Sequence, residues 1–264
     1  MILLRSVLFF AWFAVVSVAC NLGFLWALAA PRRFTVLASK SWSRLTLWGL
    51  KQIAGLDYEV RGAVPEGAVL IASKHMSMWD TIALYLIARD AKVVIKNELS
   101  WVPFYGWYAM KARMIFIHRD AGPAAMRDLA RQGGEAIAAG FPIIIFPEGT
   151  RKKPGAPPDY KPGVAGLYSL LNAPCVPAAL NSGLFWTGPA GFLKKPGRIV
   201  LEFLQPIPPG LKRAEFMIAL QKRIETATAR LVAEGRGQLQ PTRSDGELAS
   251  SRKDKGPESG PFAS

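Results

Sequence analysis

From Ser6 to Ala30 the chain runs 25 consecutive residues without an Asp, Glu, Lys or Arg. As a helix this stretch would be roughly 37 Å long at about 1.5 Å per residue, enough to cross the hydrocarbon of a bilayer. Few soluble folds carry such a run at the start of the chain. Arg5 before it and Ala27-Leu28-Ala29-Ala30 at its end also fit a secretory signal with a cleavage site, but the run is longer and richer in aromatics than a signal core. Past Pro31 come Arg32, Arg33, Lys40, Arg44 and Lys51, with no acidic residue before Asp57. Under the positive-inside rule the bulk of the protein then stays on the cytoplasmic side of the cell inner membrane.

Residues 33–52 form a second candidate for the membrane. At about 100° per residue Arg33, Lys40, Arg44 and Lys51 share one narrow stripe, while Phe34, Trp42, Leu45, Trp48 and Ile53 take much of the remaining circumference. A helix so built can lie among headgroups, and the two segments together would make an interfacial hairpin; a core helix with a solvated basic face has the same pattern. Residues 1–55 are therefore expected to be membrane-anchoring helices.

Beyond Gly55 short β-rich runs alternate with helical stretches. Strands are expected at Tyr58–Val60, Val69–Ser73, Val93–Lys96, Met114–Ile117, Ile143–Phe146, Val176–Ala179 and Ile199–Phe203. Helices are expected at Thr81–Arg89, Ala124–Ala139, Val164–Leu171 and Arg213–Ala233. This alternation implies an α/β domain over residues 56–234, a mixed, mostly parallel sheet flanked by helices. Residues 235–264 hold little besides Gly, Ser, Pro and charge, and read as a disordered tail.

Lys plus Arg number 33 against 19 Asp plus Glu, a formal charge of +14, so anionic partners are expected. The cations are dispersed and densest beside the apolar run, which favours a phospholipid surface over nucleic acid, for which no recognised motif is present. With two cysteines, Cys20 and Cys175, and no CxxC or HExxH, no metal site is expected. A buried, inert thiol is the simpler reading of Cys175.

Three stretches carry chemistry. His75 follows the apolar strand at Val69–Ser73, and Asp80 stands five residues on, near a helix start. If the loop folds back, the carboxylate accepts Nδ1–H and leaves Nε2 as a base. No GxSxG and no GxxxxGK[ST] accompanies the pair, so the base would activate a hydroxyl of the substrate. Phe146-Pro147-Glu148-Gly149-Thr150-Arg151 follows another apolar strand, and its turn is expected to aim Glu148 and Arg151 from one rim. Met114 to Ile117 delivers His118 and Arg119, and two guanidinium forks at strand ends suit phosphate oxygens. Trp101, Phe104, Tyr105, Trp107 and Tyr108 read equally as a core cluster or as a surface dipping into the membrane interface.

HMSMWD, IFIHRD and FPEGTR, followed by Val176-Pro177-Ala178 and in that order, resemble the four blocks of the PlsC-type 1-acylglycerol-3-phosphate acyltransferases, over about Lys74 to Ala179. Lys96-Asn97-Glu98-Leu99 ahead of Pro103 and Gly106 adds to the likeness. Lys74 departs from the Asn common there, a difference expected to touch no residue that the mechanism needs. The resemblance implies acyl transfer from acyl-CoA or acyl carrier protein, as co-substrate and without a cofactor, to the sn-2 hydroxyl of lysophosphatidic acid, giving phosphatidic acid. It implies His75 as base and Asp80 as its orienting partner. Arg119 and Arg151 would hold the acceptor phosphate, Glu148, Gly149 and Thr150 would shape the acceptor site, and Lys96 or Lys111 would add positive field. Acylation of another lysolipid, such as a lyso-ornithine lipid, and a non-catalytic protein binding anionic lipid are the alternatives.

Overall fold

The computed structural model describes residues 1–118, 122–187 and 191–239. In chain order the elements are α1 (Ile2–Gly23), α2 (Arg32–Ala54), β1 (Leu56–Arg61), β2 (Leu70–Ser73), α3 (Met78–Ile87), β3 (Lys92–Lys96), α4 (Tyr105–Lys111), β4 (Ile115–Ile117), α5 (Gly122–Ala138), β5 (Ile143–Ile145), α6 (Gly163–Leu171), β6 (Cys175–Leu180), β7 (Trp186–Thr187), β8 (Leu193–Lys194), β9 (Gly197–Phe203) and α7 (Arg213–Leu239). Seven strands form one sheet in the order β1-β9-β6-β2-β5-β3-β4. All neighbours in it run parallel except the β6–β9 pair. The mixed, mostly parallel sheet flanked by helices is thus the expected one, with a small β7–β8 ribbon that no sequence pattern announced.

Alternation along the central strands sorts the core into two layers. Ile71 and Ile144 point to one face with Trp79, Leu84, Leu50 and Phe9 from α3, α2 and α1. Their neighbours Leu70, Ala72, Ile143 and Ile145 point to the other, packing with Leu129, Leu167, Leu220 and Ile224 from α5, α6 and α7. Because β2 is covered on both faces, all four of its residues are buried, the pattern of a central parallel strand.

The uncharged run does not form one helix. α1 stops at Gly23, a 3-10 turn follows over Leu25–Leu28, and α2 starts after Pro31, whose fixed φ suits a helix start. The Thr35 hydroxyl donates to the Ala27 carbonyl at 3.0 Å and closes this corner, so α1 and α2 lie side by side as a hairpin. Among the described residues α1 alone is long and apolar enough to cross a membrane, and little of its most apolar part is buried within the protein. The basic stripe of α2 is only partly free. Lys40 reaches the Leu86 and Ala88 carbonyls at the end of α3, Lys51 pairs with Asp57 at 2.8 Å, and Arg44 stays exposed. Arg32 grips both oxygens of Asp90 and donates to the Ala112 carbonyl, tying the start of α2 to the sheet domain.

The ends of α3 and α7 move from their expected places. α3 begins at Met78, where Ser77 caps it, and ends at Ile87, before Arg89. Gly235–Leu239 belong to α7 rather than to a tail, because Gly235 lets α7 approach Leu184 and Asn181 where a Cβ would stand within 2.8 Å; residues 240–264 lie outside the described residues. A third difference is α4 itself, which sits where only an aromatic cluster was read. Its aromatics divide, with Tyr108 buried and Trp101, Tyr105 and Trp107 exposed.

The hairpin is bolted to the domain at Phe9, which is fully buried and meets Trp186 edge to face at 5.6 Å between centroids. Beside it Lys194 is buried with its ammonium among the rings of Phe9, Phe10, Trp186 and Phe192, donating to the Phe192 carbonyl at 2.9 Å and to Gly191. Phe9→Ala should lower stability by about 3–5 kcal/mol, while Leu8→Ala, half exposed on the same helix, should change it by less than about 0.5 kcal/mol in thermal unfolding of the detergent-solubilised chain. Burial lowers the Lys194 ammonium from 10.5 to about 7. Between those values the unfolded chain binds a proton that the folded chain lacks, so this residue makes stability rise from pH 7 towards pH 10. Lys194→Met should flatten that rise in unfolding midpoints measured across the interval.

Candidate active site

The carboxyl ends of the parallel strands β2, β5 and β3 lie side by side, and each leads into a motif that the sequence singled out. That edge is where open α/β sheets present their reactive groups. β2 hands over at Ser73 to Lys74 and His75, β5 at Ile145 to Phe146–Arg151, and β3 ends on Lys96.

His75 and Asp80 meet through the local grammar of a helix start. Ser77 is the N-cap of α3 and Asp80 its third residue, so a capping box carries the Asp80 carboxylate back over the turn. Its Oδ2 accepts from the backbone N–H of Met76 at 2.6 Å and of Ser77 at 2.8 Å, and lies 3.0 Å from His75 Nδ1. Oδ1 accepts from the hydroxyls of Ser77, at 3.2 Å, and Ser182. Asp80 is fully buried, so every one of these donors counts towards holding its charge. The imidazole stacks on the Phe146 ring at 4.0 Å between centroids, which fixes its plane as Asp80 fixes its edge. Nε2 has no hydrogen-bond partner among the described residues.

Ser182 escaped the sequence reading. It sits just past β6, in a 3-10 turn at the same sheet edge, and its hydroxyl joins Ser77 at 2.9 Å as well as Asp80. The only signal available was its position shortly after the fourth block, Val176-Pro177-Ala178.

The Phe146–Arg151 loop is a tight turn, with Gly149 at φ +65° and its N–H donating to the Phe146 carbonyl at 2.9 Å. A left-handed φ favours glycine there. The expectation that Glu148 and Arg151 face out from one rim is corrected. Glu148 is 1% exposed and turned inward, whereas Thr150 and Arg151 are exposed. Lys74, itself 2% exposed, accounts for this: its ammonium meets Glu148 Oε1 at 2.8 Å and Glu225 Oε1 of α7 at 2.8 Å. The departure at Lys74 therefore does engage one of the expected site residues. Burial holds the Glu148 carboxyl above its ordinary range; Lys74 opposes that shift and Glu225 adds to it. Tyr160 completes the group, donating to Glu225 at 2.9 Å.

Lys96 is exposed at the end of β3, and Lys111 half-buried at the end of α4, with no hydrogen bond or ion pair among the described residues drawing either toward His75. Arg119 lies outside the described residues. His118 is exposed, and Cys175 is fully buried with its thiol pushed up by that burial, which disarms it as a nucleophile. Among the described residues no group of three His, Cys, Asp or Glu is placed to hold a metal ion.

Residues 57–181 match the family model described as Acyltransferase. A 1-acyl-sn-glycerol-3-phosphate acyltransferase of Pseudomonas aeruginosa is 38% identical over 172 residues, covering 64% of this chain and 65% of that protein. The mouse 1-acyl-sn-glycerol-3-phosphate acyltransferase alpha is 28% identical over 169 residues, covering 62% of this chain and 59% of its own length. The match thus spans just under two thirds of these relatives. The crystal structure of the 1-acyl-sn-glycerophosphate acyltransferase PlsC from Thermotoga maritima superposes with a TM-score of 0.70 over 88% of this chain and 99% of that one, at 17% identity, and so shares the fold. Over residues 57–181 this chain is thus similar to acyltransferases, and it shares the fold of PlsC.

Proposed function

We propose that this protein transfers a fatty acyl group from an acyl thioester, acyl-CoA or acyl carrier protein, to the sn-2 hydroxyl of 1-acylglycerol 3-phosphate, giving phosphatidic acid. The observation that carries the proposal is the His75–Asp80 pair, with Nδ1 engaged by a buried carboxylate at 3.0 Å and Nε2 unpartnered among the described residues. Nε2 takes the proton as the acceptor oxygen attacks the thioester carbonyl carbon. The tetrahedral adduct then collapses, the carbon–sulfur bond breaks, and the departing thiolate recovers that proton from the imidazolium. Asp80 holds the tautomer and stabilises the imidazolium, so no acyl-enzyme is required. The names borne by the relatives support the same acceptor. Arg151, exposed at the tip of the turn after β5, is proposed to grip the acceptor phosphate together with Arg119, while Gly149 and Thr150 shape the approach. Lys96 and Lys111 are proposed to add positive field.

The protein is further proposed to work at the cytoplasmic face of the inner membrane, on a phospholipid surface. The apolar, mostly unburied α1 supports membrane association, and the arginines and lysines that follow it support the side. Trp26 and Trp48 on the hairpin and Trp101 before α4, which is 83% exposed, are aromatics of the kind that settle at headgroup level.

His75→Ala should leave a folded protein with at least about 10³-fold lower acyl transfer, and Asp80→Asn should lose a comparable factor through the wrong tautomer. Near-normal turnover by either, with the purified chain, lysophosphatidic acid and each donor, would remove the dyad from the chemistry. Arg151→Ala should chiefly raise the acceptor KM, by a factor equivalent to about 1.5–3 kcal/mol for a charged hydrogen bond, and Lys should rescue it only in part. Rates on choline- or ethanolamine-bearing lysolipids, or on a lyso-ornithine lipid, equal to those on lysophosphatidic acid would overturn the phosphomonoester acceptor and keep the dyad.

A further inference from the structure

We infer that Lys74 is a positioning residue whose ammonium, clamped between Glu148 and Glu225, holds the acceptor loop in register with His75. The inference rests on the acyltransferase reading for what the two loops do, and on geometry alone for how they are joined.

Lys74 precedes His75 directly, and Glu148 lies three residues before Arg151. The 2.8 Å contact between Lys74 and Glu148 is thus a pin set one residue from the base and three from the arginine proposed to hold phosphate. On the other side Lys74 holds Glu225 of α7, which also takes the Tyr160 hydroxyl, so the stretch between Arg151 and α6 is tied to the same point. Backbone bonds repeat the linkage: the Lys152 N–H donates to the His75 carbonyl at 2.8 Å and the Lys161 N–H to the Pro147 carbonyl at 2.9 Å. The Lys74 N–H is itself fixed to the Ala178 carbonyl of β6 at 2.9 Å, so the pin has a rigid base.

A buried ion pair adds little net stability, because desolvation offsets its attraction, but breaking one strands a buried charge. Its use here is geometric. Glu148 Oε2 is buried without a hydrogen-bond partner, and apart from Lys74 the carboxylate is held only by the backbone N–H of His75, so losing Lys74 removes its one charged anchor. A loop then free to move by about 1 Å would present the acceptor hydroxyl off line, an error that costs on the order of 10²-fold in rate.

The test uses the full chain in mixed micelles, with lysophosphatidic acid and a long-chain acyl-CoA, and follows both KM values together with backbone amide exchange. Lys74→Met should raise the acceptor KM about tenfold and move the donor KM less than about twofold. It should speed exchange at the Lys152 amide about tenfold while Leu129 in α5 and Leu167 in α6 keep wild-type protection. Glu225→Gln leaves the Lys74–Glu148 contact in place on a half-exposed side chain, so it should fold even if Lys74→Met does not, and it should raise the acceptor KM about threefold. The double variant Lys74→Met with Glu148→Gln strands no fully buried charge, since Glu225 is partly exposed and keeps the Tyr160 hydroxyl; it should recover thermal stability and keep the raised acceptor KM. Unchanged acceptor KM and Lys152 exchange, a uniform loss of protection across all three amides, or a double variant with wild-type acceptor KM would each overturn the inference. A wild type that does not acylate lysophosphatidic acid would instead overturn the proposed acceptor, and exchange at Lys152 would still decide whether Lys74 joins the loops.

Discussion

The carboxyl edge of the sheet hangs on one buried carboxylate. Asp80 takes two backbone N–H groups from the turn that starts α3, two serine hydroxyls and the imidazole of His75. Out of water such a charge is tolerated only with its acceptor sites filled. The cap of α3, the course of the loop after β2 and the orientation of His75 are therefore one arrangement. The spacing of five between His75 and Asp80 is the spacing of a histidine two residues before an N-cap and an aspartate at the third helical position. Part of the chemistry is thus an ordinary helix start in which the capping carboxylate has a second partner.

Behind that arrangement stands a second buried charge. Lys74 turns Glu148 inward, and the inward turn leaves Thr150 and Arg151 exposed at the rim. The Phe146–Arg151 loop is thereby organised from within, by a residue that the solvent does not reach, while its tip stays exposed. The two buried groups, Asp80 and Lys74, flank His75 in the chain, the first bonded to its ring and the second to Glu148 and Glu225.

The N-terminal hairpin is continuous with this framework. Phe9 shares a core cluster with Trp79, the residue before Asp80, and with Leu50 of α2, so what holds the hairpin also supports the start of α3. A helix with an apolar outward face and a buried bolt can seat the domain against lipid without an independent anchor.

Much of the fold was legible because it rests on local periodicity. The unbroken apolar runs at Leu70–Ala72 and Ile143–Ile145, the helical spacing of α5 to α7 and the motifs after β2 and β5 are written within a few residues each. His75 and Asp80 were legible for the same reason, since a helix cap brings them together. What the chain order could not reveal is whatever depends on partners far apart in sequence. Lys74 and Glu225 are separated by 151 positions, and Asp80 and Ser182 by 102. The extension of α7 past Gly235 was likewise decided by its close approach to Leu184 and Asn181. Local sequence determined which residues sit at strand ends and what chemistry they carry. Tertiary packing alone decided which way they turn, because burying a charge depends on the partner that folding brings to it.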